Sequence, residues 1–192
     1  MAKRWDLGDI PIERAMSNNT VFVSPEEMKD MPEVIWEGYK GNGEPYGFFN
    51  LEASRQYGRM DEERLDASIV GVNPCAEIPL ANRESCNLAE LYLPMIESKE
   101  ELIDVAKLLY KVQKAIAALP YLDPASDKIT SQNMRLGLGV TGVTQAMDKI
   151  DWLDDTYVAL RELDVEWSAS RGWPESVRLT TIKPSGTLSL LP

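Results

Sequence analysis

Histidine is absent from the 192 residues, and cysteine occurs only twice. The first absence excludes Ser-His-Asp and Cys-His nucleophile systems and every histidine-ligated metal site. Two cysteines are too few for a structural zinc site or an iron–sulfur cluster. Basic charge is scarce as well: 20 Lys and Arg stand against 31 Asp and Glu, a formal net charge of −11. A protein that follows a nucleic-acid backbone needs a basic surface, so duplex binding is disfavoured. No apolar run approaches the ~20 residues that cross a bilayer. Met1-Ala2-Lys3-Arg4-Trp5-Asp6 leads into charge and not into an apolar signal segment. These absences predict a cytoplasmic protein with neither membrane nor nucleic acid as partner. Its chemistry must run on thiol, carboxylate, amide, hydroxyl and backbone groups.

What is present fits a soluble fold. Hydrophobic residues make up 44% and charged residues 27%, the balance of a globular chain of one domain. The first thirty residues read as polar and loop-like, apart from Val21-Phe22-Val23. Ser24-Pro25-Glu26-Glu27 carries a capping box with Pro at the first helical position. Residues 40–47 read as a turn-rich connection and residues 52–66 as a short helix or irregular segment. Ser68-Ile69-Val70-Gly71-Val72 predicts a buried strand, and residues 86–93 a second. Prolines at 74 and 79 argue for an extended loop between them, against helix and against a paired central strand.

Ser98 and Glu101 have capping-box spacing, and Leu102, Val105, Leu109, Val112, Ile116 and Leu119 predict one apolar stripe on the helix that follows, ended by Pro120. Further helices are predicted over residues 142–150 and 152–170, and a strand over 177–183. Strands interleaved with long helices give an α/β class. The apolar run at residues 188–191 needs something to bury against, so the domain is expected to continue beyond Pro192. The chain reads as one partial domain over residues 1–192.

Two segments are candidates for chemistry. In an extended backbone, alternate side chains share a face. Asn73, Cys75 and Glu77 would then project together as donor, sulfur and base; a buried structural cysteine is the plain alternative. Cys86 follows eleven positions later, a spacing equally compatible with a disulfide, a redox pair or neither. Lys183-Pro184-Ser185-Gly186-Thr187 offers small residues and hydroxyls that suit a phosphate, with Lys183 and Arg178 as nearby positive charge; an ordinary turn with a helix cap is equally compatible. The glycines of Gly137-Leu-Gly139-Val-Thr-Gly142 have dinucleotide-loop spacing, but the polar residues 128–135 before them are no hydrophobic strand. They read as close-packing or loop positions.

Four segments in order resemble one family: Asn73-Pro-Cys-Ala-Glu-Ile78, Glu84-Ser-Cys-Asn-Leu88, Arg135-Leu-Gly-Leu-Gly-Val-Thr-Gly142 and Thr181-Ile-Lys-Pro-Ser-Gly-Thr-Leu-Ser189. The series is similar to the catalytic barrel of a ribonucleotide reductase large chain, in the wording of the adenosylcobalamin-dependent class II. Arg14-Ala-Met-Ser-Asn-Asn-Thr20 and Asn42-Gly-Glu-Pro45 resemble further family segments. The resemblance implies part of a ten-stranded α/β barrel with a central finger loop. It implies that Cys75 becomes a thiyl radical that takes the 3′ hydrogen of a ribonucleotide, and that Glu77 serves as base on the 3′ hydroxyl. Asn73 would hold sugar hydroxyls, Cys86 would be half of the reducing dithiol, and Ser185, Gly186 and Thr187 would bind substrate phosphates. The implied cofactor is adenosylcobalamin. The implied partners are a ribonucleoside di- or triphosphate, complementary reductase chains that complete the barrel, and a thioredoxin-like or dithiol reductant. Alone, the chain is expected to be inactive. A non-catalytic remnant, or a small thiol redox protein pairing Cys75 with Cys86, are the competing readings.

Overall fold

The computed structural model describes residues 8–17, 19–42, 44, 45, 47–59 and 65–183. Its elements are α1 (Ile12–Ala15), β1 (Thr20–Phe22), α2 (Pro25–Lys29), α3 (Glu33–Asn42), β2 (Gly47–Phe49), α4 (Leu51–Gln56), β3 (Ile69–Val72), β4 (Pro79–Ala81), β5 (Leu88–Tyr92), α5 (Lys99–Ala117), α6 (Pro124–Asn133), β6 (Gly137–Thr141), α7 (Trp152–Arg171) and β7 (Thr180–Ile182). The caps act as their side chains dictate. Ser24 Oγ accepts from the Glu27 N–H, and the Glu27 carboxylate accepts from the Ser24 N–H. Ser98 caps α5 through the Glu101 N–H at 3.1 Å.

Strands β5, β6 and β7 form a parallel sheet in that order, with Glu90 opposite Gly139 and Gly139 opposite Thr181. Parallel neighbours require crossovers; α5 and α6 supply the first and α7 the second. Helices α5 and α7 pack on each other. Leu91, Leu102, Ala106, Leu138 and Leu160 meet in the core beneath them. Each fully buried Leu contributes roughly 1.5–3 kcal/mol. The β3–β4 hairpin sits across the sheet: a Cβ on Gly137 would lie 2.5 Å from Ile78 Cδ1 and 2.7 Å from Leu88 Cδ2. Among the described residues the sheet does not close into a barrel, and β7 is paired on one side only. A smaller parallel pair joins β1 to β2. Asn19 Nδ2 donates to Glu44 Oε1 at 2.6 Å, so the two N-terminal motif segments meet.

Several expectations are corrected. The N-terminal stretch is not all loop, because Val21-Phe22 pairs with Phe48-Phe49. The apolar stripe on α5 holds at Leu102 and, partly buried against the core, at Val105 and Leu109, but Val112, Ile116 and Leu119 are exposed while Ala106, Tyr110, Gln113, Lys114 and Ala117 are buried. The helix is rotated toward Asp164 of α7, which takes hydrogen bonds from both Tyr110 and Lys114. Residues 142–150 form two short 3-10 turns in place of a helix, because Gly142 is left-handed and Ala146, at φ −131° and ψ 44°, leaves the helical region. The glycine segment is itself the central strand β6, where Gly137 and Gly139 are close-packing positions.

Gly142 has φ +74°, and a Cβ there would lie 2.5 Å from two ring carbons of Pro94. Gly142→Ala combines left-handed strain with a clash against a rigid ring. A loss of about 2–4 kcal/mol is expected in urea denaturation; a loss below about 1 kcal/mol would show that the Pro94 turn yields freely.

Candidate functional site

The segment from Asn73 to Ile78 is a tight hairpin turn and not the extended loop that its prolines suggest. The Asn73 carbonyl accepts from the Ala76 N–H at 2.9 Å, and Ala76 takes φ 63°. The Asn73 side-chain oxygen accepts from the Ile78 N–H at 3.0 Å, and the Asn73 N–H donates back to the Ile78 carbonyl at 3.0 Å. Three hydrogen bonds from one buried asparagine close the loop, which overrides the extended bias of proline. Pro79 then enters β4 opposite Val72, in a two-stranded pair where a missing N–H is tolerated.

The turn gathers the predicted groups by a different route from strand alternation. The second amide group of Asn73 points at Cys86: Nδ2 lies 3.5 Å from Sγ. Both cysteines are free thiols, Cys75 half-buried at the turn and Cys86 exposed at its flank. Glu77 is nearly closed off, its side chain 3% exposed. Its Oε1 lies 3.2 Å from Lys183 Nζ, and its backbone carbonyl accepts from Thr181 Oγ1 at 2.7 Å. Hence the edge strand β7 presses on the turn with both a hydroxyl and an ammonium. Glu77 Oε2 is buried without a hydrogen-bond donor.

The electrostatics follow from this packing. Burial of the sulfur and the charge of Glu77 push the Cys86 thiol up, against the Asn73 hydrogen bond and Lys183, which pull it down. Cys86 therefore stays a protonated thiol at neutral pH. For Lys183, burial works against the charge, but the hydrogen bond and charge of Glu77, aided by Cys75 and Glu90, outweigh it and raise its pKa.

The structure thus brings Asn73, Cys75, Glu77 and Cys86 together. Ser185, Gly186 and Thr187, the expected phosphate segment, lie outside the described residues. Of the two nearby positive charges, Lys183 donates to Glu77, and Arg178 to Asp66 through Nε at 2.6 Å. The sequence reading missed Glu90, whose two carboxylate oxygens are both buried without a hydrogen-bond partner. The signal was a carboxylate in mid-strand, since a buried charge demands a partner. A cavity of about 420 Å³ reaches Glu77 but neither thiol; its walls are mostly apolar, Leu102, Leu138 and Leu160 among them. It lies in the core packing beside β7 and does not hold the thiols.

Fold and site together define an α/β protein with a thiol–carboxylate centre built on a hairpin turn. The ribonucleotide reductase barrel domain family matches residues 13–183, and the chain belongs to the ribonucleotide reductase family. Its curated relatives include the adenosylcobalamin-dependent ribonucleoside-triphosphate reductase of Lactobacillus gasseri, 33% identical over 93% of this chain and 28% of that protein. The Lactobacillus leichmannii reductase of the same name is 32% identical over 100% of this chain and 30% of its own length. A probable reductase of the same kind from Dictyostelium discoideum is 33% identical over 91% and 24%. The crystal structure of a B12-dependent (class II) ribonucleotide reductase superposes with a TM-score of 0.78 at 31% identity, covering 92% of this chain and 29% of that one. The chain therefore spans less than a third of the length of these relatives.

Proposed function

We propose that this chain supplies the thiol-bearing part of a ribonucleotide reductase barrel, as one partial domain that works with further barrel segments in the cytoplasm. The observation that carries the reading is the hairpin turn, which sets Cys75 beside Glu77, Asn73 and Cys86 within the residues that match the reductase barrel. The substrate class is a ribonucleotide, with the triphosphate favoured by the names of the relatives. Ser185, Gly186 and Thr187 are proposed to hold its phosphates.

In this reading Cys75 loses its sulfur-bound hydrogen atom to a radical supplied from outside the chain, and the sulfur radical takes the 3′ hydrogen atom. Glu77 Oε2, buried and without a donor, accepts the 3′-hydroxyl proton. The Asn73 carboxamide keeps one N–H for a sugar hydroxyl, since its oxygen and other N–H are spent on Ile78 and Cys86. The 2′ hydroxyl leaves as water with a proton from a dithiol, which also supplies the hydrogen that replaces it at the 2′ carbon and the two electrons, and ends as a disulfide. Cys86 is one half of that dithiol. Its mate must come from another segment, because the chain's only other cysteine is Cys75. The Cys75 thiol then returns its hydrogen atom to the 3′ carbon and Glu77 returns its proton to the 3′ oxygen; the sulfur radical left on Cys75 regains hydrogen from the external source, and a separate reductant restores the dithiol.

The named relatives depend on adenosylcobalamin, and the same cofactor is proposed here as the radical source. The half-buried Cys75 sulfur fits the receiving end of such a group. The chain has no histidine to ligate cobalt.

The test supplies the chain, complementary reductase segments, adenosylcobalamin, a dithiol and a ribonucleoside triphosphate. Deoxynucleotide is expected with the complete set and its loss is expected with Cys75→Ser. Equal product from Cys75→Ser, or none from wild-type chain beside folded complements, would sink the reading.

A further inference from the structure

Glu77 and Glu90 face one ammonium. Lys183 Nζ sits 3.2 Å from Glu77 Oε1, and Glu90 is near enough to add to the pull on the same group. Register explains how. Glu90 of β5 lies opposite Gly139 of β6, and a Cβ on Gly139 would come 3.0 Å from Lys183 Cβ. The missing side chain lets the lysine stem cross the middle strand between the two carboxylates. The pairing is incomplete on both sides: Glu77 Oε2 and both oxygens of Glu90 are buried with no hydrogen-bond partner. Three buried carboxylate oxygens without donors next to one lysine are costly as a resting arrangement. They are what a site needs if the ammonium must have somewhere to go.

We propose that Lys183 is a positioning residue shared by two carboxylates: it holds Glu77 Oε1 while Oε2 stays open, and passes to Glu90 when Glu77 takes up a proton. The inference rests on the reading of Glu77 as a base. The proton comes from a ligand hydroxyl, is held on Glu77 and returns to that oxygen at the end of the cycle; Lys183 remains charged throughout and only changes partner. Without Lys183, ionised Glu77 would stand alone near Glu90. The other groups around Glu77 are Cys75 and Cys86 at the turn, and Arg135 and Arg178 across the cavity, both engaged with Asp66.

The two variants therefore act in opposite directions. Lys183→Met removes the positive charge beside Glu77, and Glu90→Gln removes a negative charge on the other side of that ammonium. In the 192-residue chain, alkylation of Cys86 by iodoacetamide reads the local charge without any turnover. At one pH below the thiol's titration, Lys183→Met should slow Cys86 alkylation by about two- to tenfold and Glu90→Gln should speed it, a tenfold change corresponding to one pKa unit. Lys183→Arg should restore the wild-type rate, which separates charge placement from misfolding. In the assembled reductase, the acid limb of kcat/KM should move to higher pH in Lys183→Met and to lower pH in Glu90→Gln, with kcat falling about tenfold in each. Unchanged Cys86 alkylation in both folded variants overturns the inference whatever the activity. Acid limbs that move the same way, or do not move, overturn the hand-off. Altered alkylation in a chain that yields no deoxynucleotide supports the charge arrangement and sinks only the reductase reading.

Discussion

Replacing Asp164 by Ala should remove about 3–5 kcal/mol of stability, more than any change at the thiol turn, because it strands a buried ammonium. Asp164 and Lys114 both have side chains that are 0% exposed, and their ion pair is 2.7 Å long. Asp164 Oδ1 accepts from Lys114 Nζ and Tyr110 OH at 2.7 Å each and from Ser168 Oγ at 3.2 Å; Oδ2 accepts from the Ser176 N–H at 2.8 Å. The carboxylate thus ties α5, α7 and the segment leading to β7. Lys114 completes its own shell with the Pro174 carbonyl and Ser176 Oγ. Burial already pulls the Lys114 pKa down against the opposing influence of Asp164. Burial and the Asp164 hydrogen bond push Tyr110 up. With the carboxylate gone, the lysine loses the charge that offsets its burial and the other donors lose their acceptor. The expected loss is a large share of the ~5–15 kcal/mol that keeps a domain folded. Lys114→Met combined with Asp164→Leu should recover part of it, because removing both charges avoids the stranded one. Urea denaturation of the three chains decides the matter; a loss under about 1 kcal/mol in Asp164→Ala would mean that water reaches the pair freely.

That network also shows where sequence reading succeeds and stops. Local signals were legible. The Ser24 and Ser98 caps needed only the next three residues. The long helices announced themselves by period, and the strand around Ile69 by β-branching. The thiol site was legible as a set of residues, since Asn73, Cys75, Glu77 and Cys86 do meet. Their geometry was not legible, because one asparagine's hydrogen bonds to Ile78 fold the segment against its extended bias. The buried face of α5 failed for a longer-range reason. Tyr110 and Lys114 turn inward to reach an aspartate 54 and 50 residues away, and no window along one helix contains that partner. Lys183 was read as positive charge for a phosphate because its neighbours in sequence invite that role. The carboxylate it reaches in the fold, Glu77, lies 106 residues earlier. In each case the residue type was right, and a contact distant in sequence decided the orientation.

A second large effect is expected at Arg135, the buried arginine that opens the Arg-Leu-Gly-Leu-Gly segment. It is 2% exposed, and its two terminal nitrogens donate to both oxygens of Asp66 at 2.6 and 2.9 Å. Its Nε lies 3.0 Å from Glu84 Oε1, off the N–H direction, so that contact is Coulombic. Arg135→Ala leaves two buried carboxylates facing the gap, Glu84 held by Asn133 and the Ala81 N–H, and Asp66 held by Arg178 alone. A loss of about 3–5 kcal/mol at neutral pH is expected. Arg135→Lys should recover little, because an ammonium lacks the fork that spans both oxygens of Asp66. The effect should also depend on pH. Burial tends to raise the Asp66 pKa, but the hydrogen bonds and charges of Arg135 and Arg178 outweigh it and hold the carboxyl below its ordinary 3.8. A folded pKa below the unfolded one contributes stability that is complete above the unfolded value and is lost as pH falls through the folded value. The difference between wild type and Arg135→Ala should therefore be widest at neutral pH and narrow below about pH 4, where the variant's carboxyl is already neutral and no longer penalised for burial. Urea denaturation of both proteins from neutral pH down to the acid limb measures this directly. A difference that stays constant across that range would show that Arg135 stabilises by packing its side chain and not by pairing with Asp66.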